Sequence, residues 1–209
     1  MAMIKNEGNC YICGNTSGKT AMKNHILKEH VGVGDEECYL LKIEGAYAKE
    51  YWLFVDVAKD KGLSTLDTFL RKIWLECCGH LSKFSVGKSR KIGSLSIGDQ
   101  ILHEYDYGTT TECVITVMAE SRRPKQRDAV RLLARNTPIV IQCTTCDQPA
   151  TIICHECLWD GEDGVYCEKC YEEHEHDDAT APITNSPRCG ECGYDGELDT
   201  FEFNPSRFC

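Results

Sequence analysis

Three Cys-x-x-Cys pairs fall within 28 residues: Cys143/Cys146, Cys154/Cys157 and Cys167/Cys170, followed by His174 and His176. Thiolate and imidazole are the donors that tetrahedral zinc takes in closed structural sites. These eight side chains supply two sets of four. Knuckles only seven residues apart, as Cys146 and Cys154 are, have little chain with which to fold face to face. The alternating wiring is easier. Cys143 and Cys146 join Cys167 and Cys170 across 20 residues, and Cys154 and Cys157 join His174 and His176 across 16. The expectation is an interleaved two-zinc cross-brace over residues 139–178. His155, inside a knuckle, reads as a spectator, and Asp177 or Asp178 is an oxygen donor that stands in for His176 if the His174–His176 turn is too abrupt.

A further set lies near the start. Cys10 and Cys13 precede His25 and His30 with the spacing C-x2-C-x11-H-x4-H, one residue short of the usual finger gap. A helix over residues 21–30 puts both histidines on nearly one face. Residues 1–33 are therefore read as a finger of the two-cysteine, two-histidine kind. A closed four-ligand ion leaves no open position for water, so the zinc is expected to be structural. His174-Glu-His176 is not the HExxH spacing of a metalloprotease, and the H-x-E with P-C-x-x-C pattern of zinc deaminases is missing. Two or three zinc ions per chain are expected. Cys189 and Cys192 form an orphan pair, either completing another site with Cys209 or lining a glycine turn.

The elements that hold these sets read as α+β: an antiparallel or mixed sheet with one main amphipathic helix, flanked by small zinc modules. Residues 38–45 and 51–58 are rich in aromatic and β-branched side chains, as strands are. Residues 84–92, 101–107 and 111–120 are further strand candidates. Leu66, Phe69, Leu70, Ile73, Trp74 and Cys77 recur at helical spacing in one stripe. Ser64 and Asp67 stand three apart, as in a capping box, and Gly79 is placed to end the helix. Short connections favour antiparallel pairing. The reading divides the chain into the finger (1–33), an α+β domain (34–120), a basic linker (121–138), the cross-brace (139–178) and a C-terminal tail (179–209). Residues 130–135 fit a short helix or a strand.

Fifteen cysteines in repeated knuckles point to metal in a reducing compartment instead of disulfides. The 42% hydrophobic content suffices for a packed core, and no apolar run approaches a membrane span. No secretory signal is evident at the start, so a soluble, cytoplasmic protein is expected. The formal charge of −10 argues against general phosphate binding. The local exceptions are Lys19, Lys23 and Lys28 and the run Arg122, Arg123, Lys125, Arg127, Arg131 and Arg135. Residues 156–178 are acidic by contrast.

Two resemblances follow. Residues 165–176, Val-Tyr-Cys-Glu-Lys-Cys-Tyr-Glu-Glu-His-Glu-His, resemble the third knuckle and terminal histidines of ZZ-type zinc fingers, with the B-box finger next. Leu63-Ser-Thr-Leu66, Cys78-Gly-His-Leu-Ser-Lys-Phe84, Glu104-Tyr-Asp-Tyr-Gly108, Arg131-Leu-Leu-Ala-Arg-Asn136 and residues 185–194 resemble the plasmid pRiA4b ORF-3-like family. That resemblance implies an α+β fold and no particular activity. His80 and Asp106 are the polar pair to inspect, with Asp106 expected on the opposite strand face from Tyr105 and Tyr107. No phosphate loop, nucleophile–base pair or open metal site points to an enzyme. The functional expectation is a non-enzymatic zinc protein that recognises a protein or basic peptide, with nucleic-acid binding beside a mobile element as the alternative and no membrane role.

Overall fold

The computed structural model describes residues 6–176 and 179–209. Asp177 and Asp178 lie outside the described residues. In chain order come β1 (Glu7–Cys10), β2 (Thr16–Gly18), α1 (Lys19–Glu29), β3 (Glu36–Gly45), β4 (Trp52–Ala58), α2 (Leu63–Leu70), β5 (Ser82–Phe84), β6 (Gln100–Tyr105), β7 (Thr111–Arg123) and β8 (Val130–Asn136). The last section adds β9 (Ile152–Cys154), α3 (His155–Trp159), β10 (Val165–Tyr166), α4 (Glu168–Tyr171) and β11 (Thr180–Pro182).

Strands β1 to β8 form one sheet in the order β2-β1-β8-β4-β3-β7-β6-β5, with every pair antiparallel. All seven residues of β4 are buried, because it lies inside the sheet with side chains covered on both faces. Alternation sorts those side chains. Leu53, Val55 and Val57 enter the large core with Leu41 and Ile43. Trp52 and Phe54 point the other way, to Leu40, Leu133 and Ala134. The large core is closed by the predicted helical stripe: Leu66, Phe69, Leu70, Ile73 and Trp74 are all buried in it. The helix widens into a π-type turn over Arg71–Leu75 and stops there, earlier than Gly79. The opposite face is covered by Met22 and Ile26 of α1. Burying each such side chain fully stabilises by about 1.5–3 kcal/mol.

Several local expectations need correction. Ser64 and Asp67 make no capping box, since the helix starts after Gly62 without a side-chain cap. Asp67 is turned inward instead and accepts hydrogen bonds from Ser82 Oγ at 2.7 Å, Lys88 Nζ at 2.9 Å and His103 Nε2 at 2.7 Å. Residues 84–92 are not a strand; only Ser82–Phe84 pairs, at the sheet edge. The stretch 121–138 is no linker: it holds the end of β7 and all of β8, which lies between β1 and β4. The first finger is likewise joined to the sheet, through β1 against β8.

The basic residues of the stretch 121–138 are largely engaged. Arg123 is buried, bonded to Glu36 Oε2 at 2.6 Å and paired with the fully buried Asp56, which also takes Arg131 Nε at 2.9 Å. Arg135 is buried against Asp199, 2.6 Å away, and Arg122 reaches Glu37 at 2.8 Å. Lys19 pairs with Glu44 at 2.7 Å.

The C-terminal section is packed, not a free tail. Arg188 is fully buried, Tyr194 nearly so, and Phe201 lies edge-on against Phe69 with ring centroids 5.2 Å apart. Ser186 Oγ donates to the Trp74 carbonyl at 2.6 Å, and Tyr11 Oη donates to the Phe201 carbonyl at 2.6 Å.

Candidate metal centres

Four groups of Cys and His side chains bring their ligand atoms within 4.8 Å of one another: Cys10/Cys13/His25/His30, Cys77/Cys78/His80/Cys192, Cys143/Cys146/Cys167/Cys170 and Cys154/Cys157/His174/His176. Zinc bonds of 2.3 Å to sulfur and 2.0–2.1 Å to nitrogen, tetrahedrally arranged, put ligand sulfurs about 3.8 Å apart and sulfur and nitrogen about 3.5 Å apart. The four groups are geometrically compatible with that arrangement.

In the first, β1 ends at Cys10 and a tight turn delivers Cys13. Gly14, at φ 76°, closes that turn, and a Cβ there would meet the Phe208 ring at 2.9 Å. The helix α1 supplies His25 from its buried-face turn, and His30 follows its last residue. Cys13 Sγ lies 3.2 Å from His25 Nε2 and 3.4 Å from His30 Nε2.

The two C-terminal groups interleave as the spacing implies. In one, Cys146 Sγ is 3.7 Å from Cys167 Sγ and 3.5 Å from Cys170 Sγ. In the other, Cys157 Sγ is 3.2 Å from His174 Nε2 and 3.5 Å from His176 Nδ1, and Cys154 Sγ is 3.6 Å from His176 Nδ1. The strands β9, β10 and β11 form the small sheet that fixes the knuckles relative to one another. The hairpin between the knuckles needs Gly164, at φ 55°, where a Cβ would sit 2.8 Å from the Cys154 carbonyl oxygen. His174 meets its partners despite the short gap to His176, because Tyr166 packs on its ring with centroids 4.4 Å apart and the Tyr171 hydroxyl donates to the His176 carbonyl at 2.5 Å. His155 stays out of the group and stacks on Trp159.

Crowded thiols and imidazoles shift one another within these groups. Burial raises the Cys143 thiol, but backbone N–H groups of Cys167, Thr145 and Cys146 outweigh it and bring it down to about 6. Burial likewise raises Cys154, and the Cys157 N–H with both histidines brings it down to about 7. Their neighbours move the other way: hydrogen bonds to Cys146 and Cys167 push Cys170 up to about 12. Cys143 and Cys154 thus ionise the more readily, while Cys146, Cys157 and Cys170, beside other thiols, are pushed up. A bound dication removes that resistance and holds all of them as thiolates.

The remaining group was not foreseen in the sequence as a unit. Cys77, Cys78 and His80 follow the π-type turn, and Cys192 arrives from 112 residues away. Cys192 thus leaves its knuckle partner. Cys189 Sγ instead accepts from the Thr184 N–H at 3.2 Å, and Cys209 is exposed, contacting the Pro205 carbonyl. Asp106 is 3.5 Å from His80 and bonded to Arg188 at 2.9 Å. Its φ of 64° ends the strand alternation after Tyr105, so Tyr105 is fully buried while Tyr107 is 53% exposed. The two tyrosines do not share a face. The signal available in the sequence was the run Cys77-Cys78-Gly79-His80, whose partner lies too far along the chain for spacing to reveal.

The cross-brace also carries a distinctive surface. Trp159, at the end of α3, is 75% exposed, with Leu158 exposed beside it. From 156 to 176 there are eight carboxylates and one lysine. Among the described residues, Asp160, Glu162, Asp163, Glu172 and Glu173 are exposed and form no ion pair.

No family model matches the chain, and no curated protein matches it. Among solved structures, a protein of unknown function from Methanosarcina mazei Go1 is similar over 48% of this chain and 70% of its own, with 15% sequence identity and a TM-score of 0.43. A likeness of that order carries no argument about activity. The resemblances to the plasmid pRiA4b ORF-3-like family and to named finger types rest on the quoted segments alone. Among the described residues, no helix is long and apolar enough to cross a membrane.

Proposed function

We propose that the protein is a non-enzymatic zinc protein whose cross-brace receives a basic peptide or protein segment. The observation that carries this is Trp159, an exposed indole at the end of the short helix that holds Cys157, followed in the chain by Asp160, Glu162 and Asp163, which are exposed and, among the described residues, form no ion pair. An indole face takes the hydrocarbon stem and charged end of a lysine or arginine, and the surrounding negative charge steers such a segment in. The zinc ions are structural in this reading, held by Cys10, Cys13, His25 and His30, by Cys143, Cys146, Cys167 and Cys170, and by Cys154, Cys157, His174 and His176. The finger and cross-brace are modules attached to a pRiA4b ORF-3-like α+β domain. Nucleic-acid binding is the weaker reading, because Arg122, Arg123, Arg131 and Arg135 are spent on carboxylates of the same chain.

The test is indole fluorescence of the zinc-loaded protein titrated with lysine- and arginine-rich peptides, in parallel with an acidic peptide and a single-stranded oligonucleotide. Saturable quenching by the basic peptides, weakened by raised salt, is expected, and fluorescence anisotropy of a dye-labelled basic peptide should show binding at least tenfold weaker in Trp159→Ala. Binding of the oligonucleotide alone, or of no probe, overturns the proposal.

A further inference from the structure

The geometry points to a fourth zinc site, held by Cys77, Cys78, His80 and Cys192, that pins the C-terminal section to the end of the core helix. Four observations carry it. First, the donor atoms converge. Cys77 and Cys78 sulfurs are 3.6 Å apart, Cys78 and Cys192 3.9 Å, Cys192 Sγ and His80 Nε2 3.3 Å, and Cys78 Sγ and His80 Nε2 2.9 Å. The sulfur–sulfur distances bracket the roughly 3.8 Å of a tetrahedral zinc centre, and the sulfur–nitrogen distances fall short of its roughly 3.5 Å, within the reach of small side-chain rotations.

Second, everything aims at one ring nitrogen. Cys78, Cys192 and the Asp106 carboxylate all approach His80 Nε2. A catalytic thiol–imidazole–carboxylate relay needs its thiol and its carboxylate on opposite ring nitrogens. Convergence on one nitrogen is the arrangement around a cation.

Third, the surroundings are built to hold ligands in place, as the outer contacts of metal sites do. Arg188, wholly buried, donates to Cys77 Sγ at 3.5 Å, to Asp106 Oδ2 at 2.9 Å and to the Thr109 carbonyl at 3.0 Å. Arg71 bonds the His80 carbonyl and the Glu76 carboxylate, and Glu76 accepts from the Gly79 N–H at 2.6 Å. A Cys3His zinc centre carries a net charge of about −1, which the Arg188 guanidinium faces directly.

Fourth, the backbone is bent to deliver the ligands. Among the described residues, two that are not glycine have positive φ: Asp106 at 64° and Cys192 at 48°. One is a ligand and the other lies against His80. Such conformations persist where surrounding interactions enforce them.

Four protein donors leave no open position, so the role is structural. The ion joins the segment after the core helix to a segment 112 residues later, closing the longest loop of any of the four groups.

The experiment is metal analysis of the intact, reduced, zinc-loaded protein by native mass spectrometry, with circular dichroism confirming that each variant is folded. Four zinc ions are expected, falling to three in Cys192→Ser and in Cys78→Ser. Cys189→Ser should keep four, since its thiol lies outside the group. If the Ser variants do not fold, cobalt loading of the wild type serves: thiolate-to-metal charge transfer should match eleven coordinating sulfurs, not the eight of the other three groups. A Cys192→Ser or Cys78→Ser variant that loses no ion relative to the wild type, or a Cys77–Cys78 or Cys78–Cys192 disulfide in the zinc-loaded protein, overturns the site. Because only the difference of one ion is read, the outcome does not depend on whether a peptide binds at Trp159.

Discussion

The central sheet and the cross-brace solve the same problem with different materials. The sheet buries a continuous apolar interior: Leu41, Ile43, Leu53, Val55, Leu66, Leu70, Ile73 and Trp74 are all shut off from solvent. The cross-brace has no comparable interior. Its own cluster consists of Cys143, Cys154, Cys157 and Cys167 with only Ala150 and Tyr166 as buried companions. Small domains that cannot bury enough surface need cross-links or ions. The two regions should therefore differ in what destroys them. The first finger lies between these extremes, since Cys10 belongs both to a donor group and to the apolar cluster of Met22, Ile26, Trp52 and Phe54.

The largest effect is expected from Cys167→Ser, which breaks the four-thiolate group. Zinc binding to such sites supplies about 10–16 kcal/mol of folding free energy in isolated fingers. Proteolysis should then cut between residues 143 and 176 while the sheet keeps its cooperative thermal transition. A resistant cross-brace would erase the contrast. His30→Ala should release the ion of the first finger with much less loss of structure, because α1 stays docked through Met22 and Ile26.

Next is a lesion confined to the sheet. Asp56→Ala removes the fully buried carboxylate that Arg123 and Arg131 share and leaves buried Arg123 with Glu36 as its one carboxylate partner. Breaking a buried pair in this way costs about 3–5 kcal/mol, readable as a lowered urea midpoint with the zinc count unchanged.

Asp67→Asn is a smaller change of the same kind, about 2–3 kcal/mol at neutral pH. Burial alone would raise the Asp67 carboxyl, but hydrogen bonds from His103, Lys88 and Ser82 outweigh it and hold it well below the usual carboxylate range. A depressed folded value adds stability above the ordinary carboxylate pKa of about 3.9, lost as pH falls below that toward the folded value. The wild type should thus lose more stability than the variant on going from neutral pH to about pH 3. Zinc held at the candidate sites would be released in the same acid range, so the comparison is made on the sheet transition of chelator-treated samples. Parallel pH profiles would remove Asp67 from that role.

The smallest effect on stability belongs to Trp159→Ala. A side chain as exposed as this, in contact with the His155 ring of its own helix, changes stability by about 0.5 kcal/mol or less, and denaturant curves should superimpose while peptide binding falls. A marked destabilisation would make Trp159 part of the module's structure.

What the sequence revealed follows from the range of each interaction. Knuckle spacing is local, so Cys10/Cys13 with His25/His30 and both cross-brace groups were legible. The stripe from Leu66 to Trp74 was legible for the same reason. Residues 130–135 were ambiguous because Arg131 and Arg135 break the apolar pattern; only their distant partners Asp56 and Asp199 explain how a strand there can hold charges inward. Asp67 looked like a cap because its partners Ser82 and His103 are not local. Cys189 and Cys192 stayed an orphan pair in the sequence, because the neighbours of Cys192, Cys78 and His80, are far along the chain. Beyond the three expected metal groups, each of these missed contacts spans more than a dozen residues.

The most direct test is amide hydrogen exchange on the full protein before and after a strong chelator removes the ions. Protection should vanish over residues 143–176 while β3, β4 and β7 keep theirs. Unchanged protection across the cross-brace after complete metal removal, or loss of protection throughout the sheet at the same time, would contradict the division of labour between ion and apolar core.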